Sequence, residues 1–258
     1  MYILKIDKLK STIKKCFHFI DDDTVYYAAS LSFFTIFAIL PILSILISII
    51  SNLEIFSIYL NTFISYVLSI LNPSHSDSFI NILNSFLSNS NKLSIIGILY
   101  LIFIFLIFFK DYEYIVNKIH NSKRRTIYKS FFIYLIFIIF IPMVFTVYLY
   151  IKSFYENDFI NIISLFIFTW ILFFILFKVS INNKIYNKPA ITSSFITLII
   201  LNITSYLFNY YIEYNYAYKT IYGSMATILF TFLWIYIYWI IYLYGIKICY
   251  VLNKKSTI

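Results

Sequence analysis

Long apolar runs with brief polar interruptions dominate the chain. A hydrocarbon core about 30 Å thick takes roughly 20 apolar residues as helix. Six runs approach that length: 28–50, 93–109, 127–151, 159–177, 190–212 and 225–246. They are continuous rather than alternating, which predicts helices and excludes a membrane barrel. The first run follows a Lys-rich head and has no small-residue cleavage pattern after it, so it reads as a retained span. Asp21, Asp22, Asp23 and Thr24 stand before it as helix caps. Lys92 and Lys110 bracket the second run, with stems long enough to reach the interface. Pro142 lies inside the third run, and Pro189 opens the fifth. Between the first two runs, apolar residues of 53–71 and of 78–90 recur at helical spacing with polar residues on another face. Both stretches predict amphipathic helices that lie at an interface or pack on the bundle.

Charge sets the orientation. With six spans, one side receives Lys5, Lys8, Lys10, Lys14 and Lys15 at the head. It also receives Lys110, Lys118, Lys123, Arg124, Arg125 and Lys129 between the second and third spans. Lys178, Lys184 and Lys188 follow between the fourth and fifth, and Lys247, Lys254 and Lys255 at the end. The other side holds Lys92, Lys152 and Lys219. Basic residues mark the cytoplasmic side, so both termini are expected there. A seventh span at 53–71 would put the basic 110–129 segment outside.

Composition agrees. The 258 residues are 62% hydrophobic and 12% charged, with net charge +9; soluble domains carry about 45–50% apolar and about 25% charged residues. A soluble enzyme, a disordered tail and a disulfide scaffold are excluded. Cys16 and Cys249 fall on the inner side, where thiols stay reduced. The 29 Phe and 26 Tyr accompany abundant Ile, Asn and Lys, all with AT-rich codons, so they mark genome composition rather than a ligand cage.

Candidate chemistry is sparse. His18 and His120 fall inside and His75 outside, all read as surface or interfacial residues. No metal-ligand spacing, phosphate loop or nucleophile motif occurs, so neither metal nor cofactor nor ATP hydrolysis is expected. No span carries an ionisable residue centrally, which argues against a proton pump. Ser194, Asn202, Ser205 and Asn209 share a face of the fifth span. Ser32 and Thr35, with Ala28 and Ala38, make a small-residue face of the first. Two readings stay open for these residues: close helix packing, or a polar groove for a headgroup or solute between those spans. Pro41 is a kink or a hinge. Asp111, Glu113 and Asn117 mark the cytoplasmic mouth of the second span, with surface pairing to Lys110 or nearby lysines as the simpler role and a gate or headgroup contact as the other. Lys123, Arg124 and Arg125 form an anionic-lipid contact; nucleic-acid binding would need a folded basic domain.

Two stretches carry a resemblance. Ala28-Ala29-Ser30-Leu31-Ser32-Phe33-Phe34-Thr35, with Leu40-Pro41, resembles the first-span signature of the bacterial YihY/virulence factor BrkB family. Ile221-Tyr222-Gly223-Ser224, then Leu233-Trp234-Ile235-Tyr236 and Gly245, resembles the family's late pattern; Asn117 and Pro189-Ala190 fit more loosely. Lys247 stands where the family often has an acidic or amide residue, and the Gly of its Pro-Gly-Ala motif is missing after Pro189. The resemblance implies six spans in a bacterial inner membrane and an association with the cell envelope. The family has also been called a tRNA-processing ribonuclease, for which this sequence offers no ligand set. The chain is therefore expected to be an all-α polytopic membrane protein of six transmembrane helices with amphipathic helices in its first outer loop. Its expected role is non-enzymatic: moving or accommodating a lipid or other amphiphilic envelope component, or else serving as a membrane scaffold. Its expected partners are membrane lipids, with a homo-oligomer or envelope proteins left open.

Overall fold

The computed structural model describes residues 22–52, 62, 65, 95–154, 158–214 and 225–256. The amphipathic stretches 53–71 and 78–90 lie outside the described residues, apart from two single positions. So do the N-terminal lysines, Cys16, His18, His75 and Ile221–Ser224. Six helices form: α1 Asp22–Asn52, α2 Ile95–Ile119, α3 Ile127–Phe154, α4 Asp158–Ser180, α5 Asn187–Tyr214 and α6 Met225–Lys255. The described residues contain no strand. Four stretches among them are long and apolar enough to cross a membrane: Ile127–Tyr150, Phe159–Ser180, Asn187–Ile212 and Leu229–Lys255.

The helices overrun the apolar runs, chiefly at one end. α2 continues to Ile119 rather than ending at Phe109, because Lys110 and Glu113 are good helix formers. Its stop is Asn121, which adopts a left-handed backbone (φ 50°). Asn121 N–H bonds to Lys118 C=O at 3.1 Å, and Ser122 N–H reaches back to Asn117 C=O at 2.9 Å. These are the paired bonds of a Schellman cap, with Asn in the place that tolerates positive φ. Pro189 sits in the first turn of α5, where its missing N–H costs no helical bond. Pro41 and Pro142 stand inside α1 and α3, which continue on both sides of them.

α6 packs on α5, α1 and α2; α1 packs also on α2 and α3; α4 packs on α5 and α3. Phe105, Val116, Tyr134, Phe177, Leu243 and Ile246 are central to the core. A second cluster of Phe208, Ile212, Phe230 and Trp234 joins α5 to α6. The outward faces are as apolar as the interior: Phe159 is 70% exposed, Ile162 67% and Ile136 63%. Apolar surface on this scale needs a nonaqueous surround, which a bilayer provides.

A glycine permits a close approach of α6 to α5. A β-carbon built on Gly245 of α6 would lie 2.9 Å from Thr197 Cγ2 of α5, and nearer still to Thr197 Oγ1. Thr197 is itself buried and donates to Ser193 C=O at 2.7 Å. Gly245→Ala is therefore expected to destabilise the protein by about 1–3 kcal/mol, seen as a lower melting temperature in detergent. Thr197→Ala in the same chain should restore most of the loss; unchanged melting of Gly245→Ala would refute the close approach.

Candidate functional site

The end of the bundle that receives the 120–126 and 181–186 connections and the last turns of α6 holds a buried polar cluster. Glu113 lies one helical turn after Phe109 and one before Val116, on the inward face of α2, and is 2% exposed. A carboxylate there needs its acceptor sites filled and its charge matched. Arg125 N–H donates to Oε1 at 3.1 Å, and Arg125 Nη1 donates to Oε2 at 3.4 Å. Tyr134 Oη of α3 donates to Oε2 at 2.6 Å, and Asn117 Nδ2 donates to Oε1 at 2.9 Å.

Each partner ties in another segment. Arg125 Nη2 donates to Ile181 C=O at 2.9 Å, and Nη1 also reaches Ser180 C=O at 3.4 Å. The guanidinium thus meets carbonyls left without helical partners at the negative dipole end of α4. Asn117 Oδ1 accepts from Ser122 Oγ and from Asn182 N–H, both at 2.7 Å. Tyr112 Oη bonds Ser180 Oγ at 2.7 Å and also the hydroxyl of Tyr242 on α6. Asn182 Nδ2 donates to Lys123 C=O at 2.7 Å, and Asn121 Nδ2 to Tyr250 Oη at 3.0 Å. Two loops and the ends of four helices are laced into one network.

This corrects three expectations. Glu113 does not pair with Lys110 at the surface; its face of α2 is the core face, and its partner is Arg125. Arg125 does not join Lys123 and Arg124 as a lipid contact; those two are exposed, while the Arg125 side chain is 14% exposed and turned inward. His120 is buried rather than at the surface: its Nε2 donates to Ile246 C=O at 3.2 Å. Burial pushes its pKa from 6.5 down to about 4, against the opposing pull of that hydrogen bond. Asp111 is half-buried beside the cluster.

The six-residue polar groove divides between different neighbours. Ser32 and Thr35 bond to carbonyls of their own helix, Ala29 at 2.8 Å and Leu31 at 2.7 Å, and Thr35 Oγ1 accepts from Trp239 of α6 at 2.8 Å. With Ala28 and Ala38 fully buried, that face is a packing surface. On α5, Ser194 is buried and accepts from Trp170 Nε1 of α4 at 3.1 Å. Asn202 and Ser205 instead line a cavity of about 320 Å³ between α4, α5 and α6, together with Thr169, Trp234 and Tyr238. Asn209 is exposed and is not among the residues lining it. Among the described residues, no three His, Cys, Asp or Glu side chains meet as a metal site.

Sequence reading missed Tyr112, Tyr134, Ser180, Asn182 and Tyr242. The available signal was Glu113 itself, since helical spacing from Phe105, Phe109 and Val116 turns it inward and a buried carboxylate demands a cation and hydroxyl donors.

Breaking the pair on one side strands a buried charge. Glu113→Ala or Arg125→Leu should cost about 3–5 kcal/mol of stability, whereas the double variant Glu113→Leu/Arg125→Leu should cost less than the sum. Thermal melting in detergent would measure this, and additive losses would mean the two groups do not act as a pair. His120 gives a pH signature. A base whose folded pKa lies below its unfolded value contributes full stability above about 6.5 and loses it as pH falls toward about 4. The difference in melting between the unaltered chain and His120→Gln should therefore shift between pH 7 and pH 4, to the disadvantage of the unaltered chain. A constant difference would place the imidazole in water.

The comparisons with known proteins fit a chain of this build. A UPF0761 membrane protein of Haemophilus influenzae strain PittEE is 29% identical over 194 residues, 70% of this chain and 72% of the relative. One from Mannheimia succiniciproducens is 28% identical over 207 residues, 75% and 72% of the two chains. One from Legionella pneumophila is 29% identical over 272 residues, 95% of this chain and 64% of the relative. No solved structure matches. The family model described as Virulence factor BrkB matches residues 16–257, a span that takes in all six helices and the whole buried cluster. The chain is a membrane protein belonging to the virulence factor BrkB family.

Proposed function

We propose that all six helices cross a bacterial inner membrane with both chain ends in the cytoplasm, and that the protein accommodates or moves an amphiphile, a lipid or envelope precursor, without catalysing a reaction. The orientation is supported by three basic segments meeting at one end of the bundle. Asn121 bonds Tyr250, Asn182 bonds Lys123, and Asn253 of α6 bonds both Tyr186 and Lys184 in the 181–186 connection. One side of the membrane thus receives the charge that marks the cytoplasm.

The observation that carries the functional reading is the cavity between α4, α5 and α6. At about 320 Å³ it lies within the range of small-molecule sites. It lies along the middle of the three helices, and its lining residues Ile162 and Asn202 are exposed on the outside of the bundle. Its walls are mostly apolar, including Leu165, Phe173 and Leu201, with Thr169, Asn202 and Ser205 as the isolated polar groups. Thr169 and Asn202 each satisfy a carbonyl of their own helix and keep further hydrogen-bonding capacity. A polar strip in an apolar, laterally open cavity suits a molecule with a headgroup and a tail. The absence of buried charge along it suits passage better than tight ionic capture.

Translocation of headgroup-labelled lipids in proteoliposomes, read by dithionite quenching, tests this. The protein should speed the loss of inner-leaflet signal. Asn202→Leu/Ser205→Leu should slow it by about eightfold, taking each polar group as about 0.6 kcal/mol. No translocation of any labelled lipid by folded protein would favour the scaffold role, in which the cavity is only a packing gap.

A further inference from the structure

We infer a binding site for a phosphate-bearing lipid headgroup at the start of α3, where Lys110, Arg124 and the hydroxyl of Ser130 converge. It is separate from the α4–α5–α6 cavity and stands whether or not the protein moves an amphiphile.

Ser130 is the departure that points to it. Serines and threonines inside helices ordinarily bond to a carbonyl three or four residues back, as Ser32, Thr35, Ser164, Thr169, Ser193 and Thr197 do here. Ser130 is 4% exposed, yet its hydroxyl has no partner among the described residues. Its own N–H takes the carbonyl four residues back, on Thr126, at 3.1 Å. A buried hydroxyl without a partner is costly and calls for a ligand or water.

That hydroxyl lines a cleft between α2 and α3 whose polar members are Lys110, Glu113, Arg124, Arg125 and Ser130; apolar side chains make up the rest. The repulsion of an anion by Glu113 is offset by the guanidinium of Arg125, with which it is paired. Lys110 of α2 and Arg124 of the 120–126 connection are exposed and line the cleft. The first turn of α3 adds N–H groups that have no intrahelical acceptor, and the positive end of the dipole of a 28-residue helix. The enclosed space is about 10 Å³, room for one oxygen atom. One phosphate oxygen enters and accepts from Ser130, while the rest of the phosphate stays at the mouth between the two cations. Tails leave along the exposed apolar face of α3, past Phe132 and Ile136.

Native mass spectrometry of the full chain in detergent tests this, with dioleoyl phosphatidylglycerol, dioleoylglycerol and inorganic phosphate as probes. One phosphatidylglycerol should bind ahead of further copies, and dioleoylglycerol should not. Lys110→Gln and Arg124→Gln should each weaken the first binding by about fivefold. Ser130→Ala should weaken it by about threefold, with melting temperature unchanged or raised. Lys184→Gln/Lys188→Gln, at the same end of the bundle, should leave it intact. Binding of inorganic phosphate with the same variant pattern, but not of the lipid, would keep the site and assign it a free anion. Equal losses from the Lys184/Lys188 variant would overturn the proposal in favour of diffuse charge. Unchanged binding in Ser130→Ala would overturn it in favour of one trapped water.

Discussion

Glu113 places a carboxylate in the core of a bundle whose surroundings are apolar inside and out, and one end of the structure is arranged around it. A carboxylate in this setting is tolerated only when a cation and several donors hold it. Arg125 supplies the cation, and Asn117 and Tyr134 supply the further donors. Because the guanidinium also binds the last carbonyls of α4, one ion pair fixes the register of α2, the 120–126 connection, α3 and α4. Tyr112 extends the constraint to α6 through Tyr242. The Schellman cap at Asn121 is what turns the chain so that Arg125 returns to Glu113.

Elsewhere the helices are held differently. Lipid tails are as apolar as leucine, so helix association within a bilayer depends on close packing rather than water exclusion. The α5–α6 contact at Thr197 and Gly245 and the buried Ala28, Ser32 and Ala38 of α1 serve that purpose. Between the laced end and the mid-helix cavity lies an aromatic layer in which Phe173 contacts both Tyr238 and Tyr242. Tyr238 lines the cavity and Tyr242 belongs to the polar network. A polar, hydrogen-bonded end and a laterally open middle are thus separated by tilted and edge-on ring contacts, and rearranging the cavity need not break the ion pair.

Much of this was legible in the sequence. Apolar runs of membrane-spanning length fixed where helices form, since backbone groups removed from water must bond within their own segment. The clustering of lysines and arginines marked which connections share a side, and 120–126 and 181–186 do meet at one end with the tail of α6. The inward face of α1 was readable from Ala28, Ser32 and Ala38 at helical spacing. What helical periodicity could not give was the partner across space. Glu113 and Lys110 stand one helical turn apart, but Lys110 is exposed while Glu113 is buried against Arg125. Arg125 looks like its basic neighbours until the cap at Asn121 turns it inward. Ser194 and Asn202 share a face of α5, yet that face runs from a packed contact with Trp170 to an open cavity. Length, hydropathy and charge are local properties, so the chain alone determined where the helices form and which basic connections gather at one end. Which polar residues are buried together depends on how those helices cross, and only the packed bundle decided that.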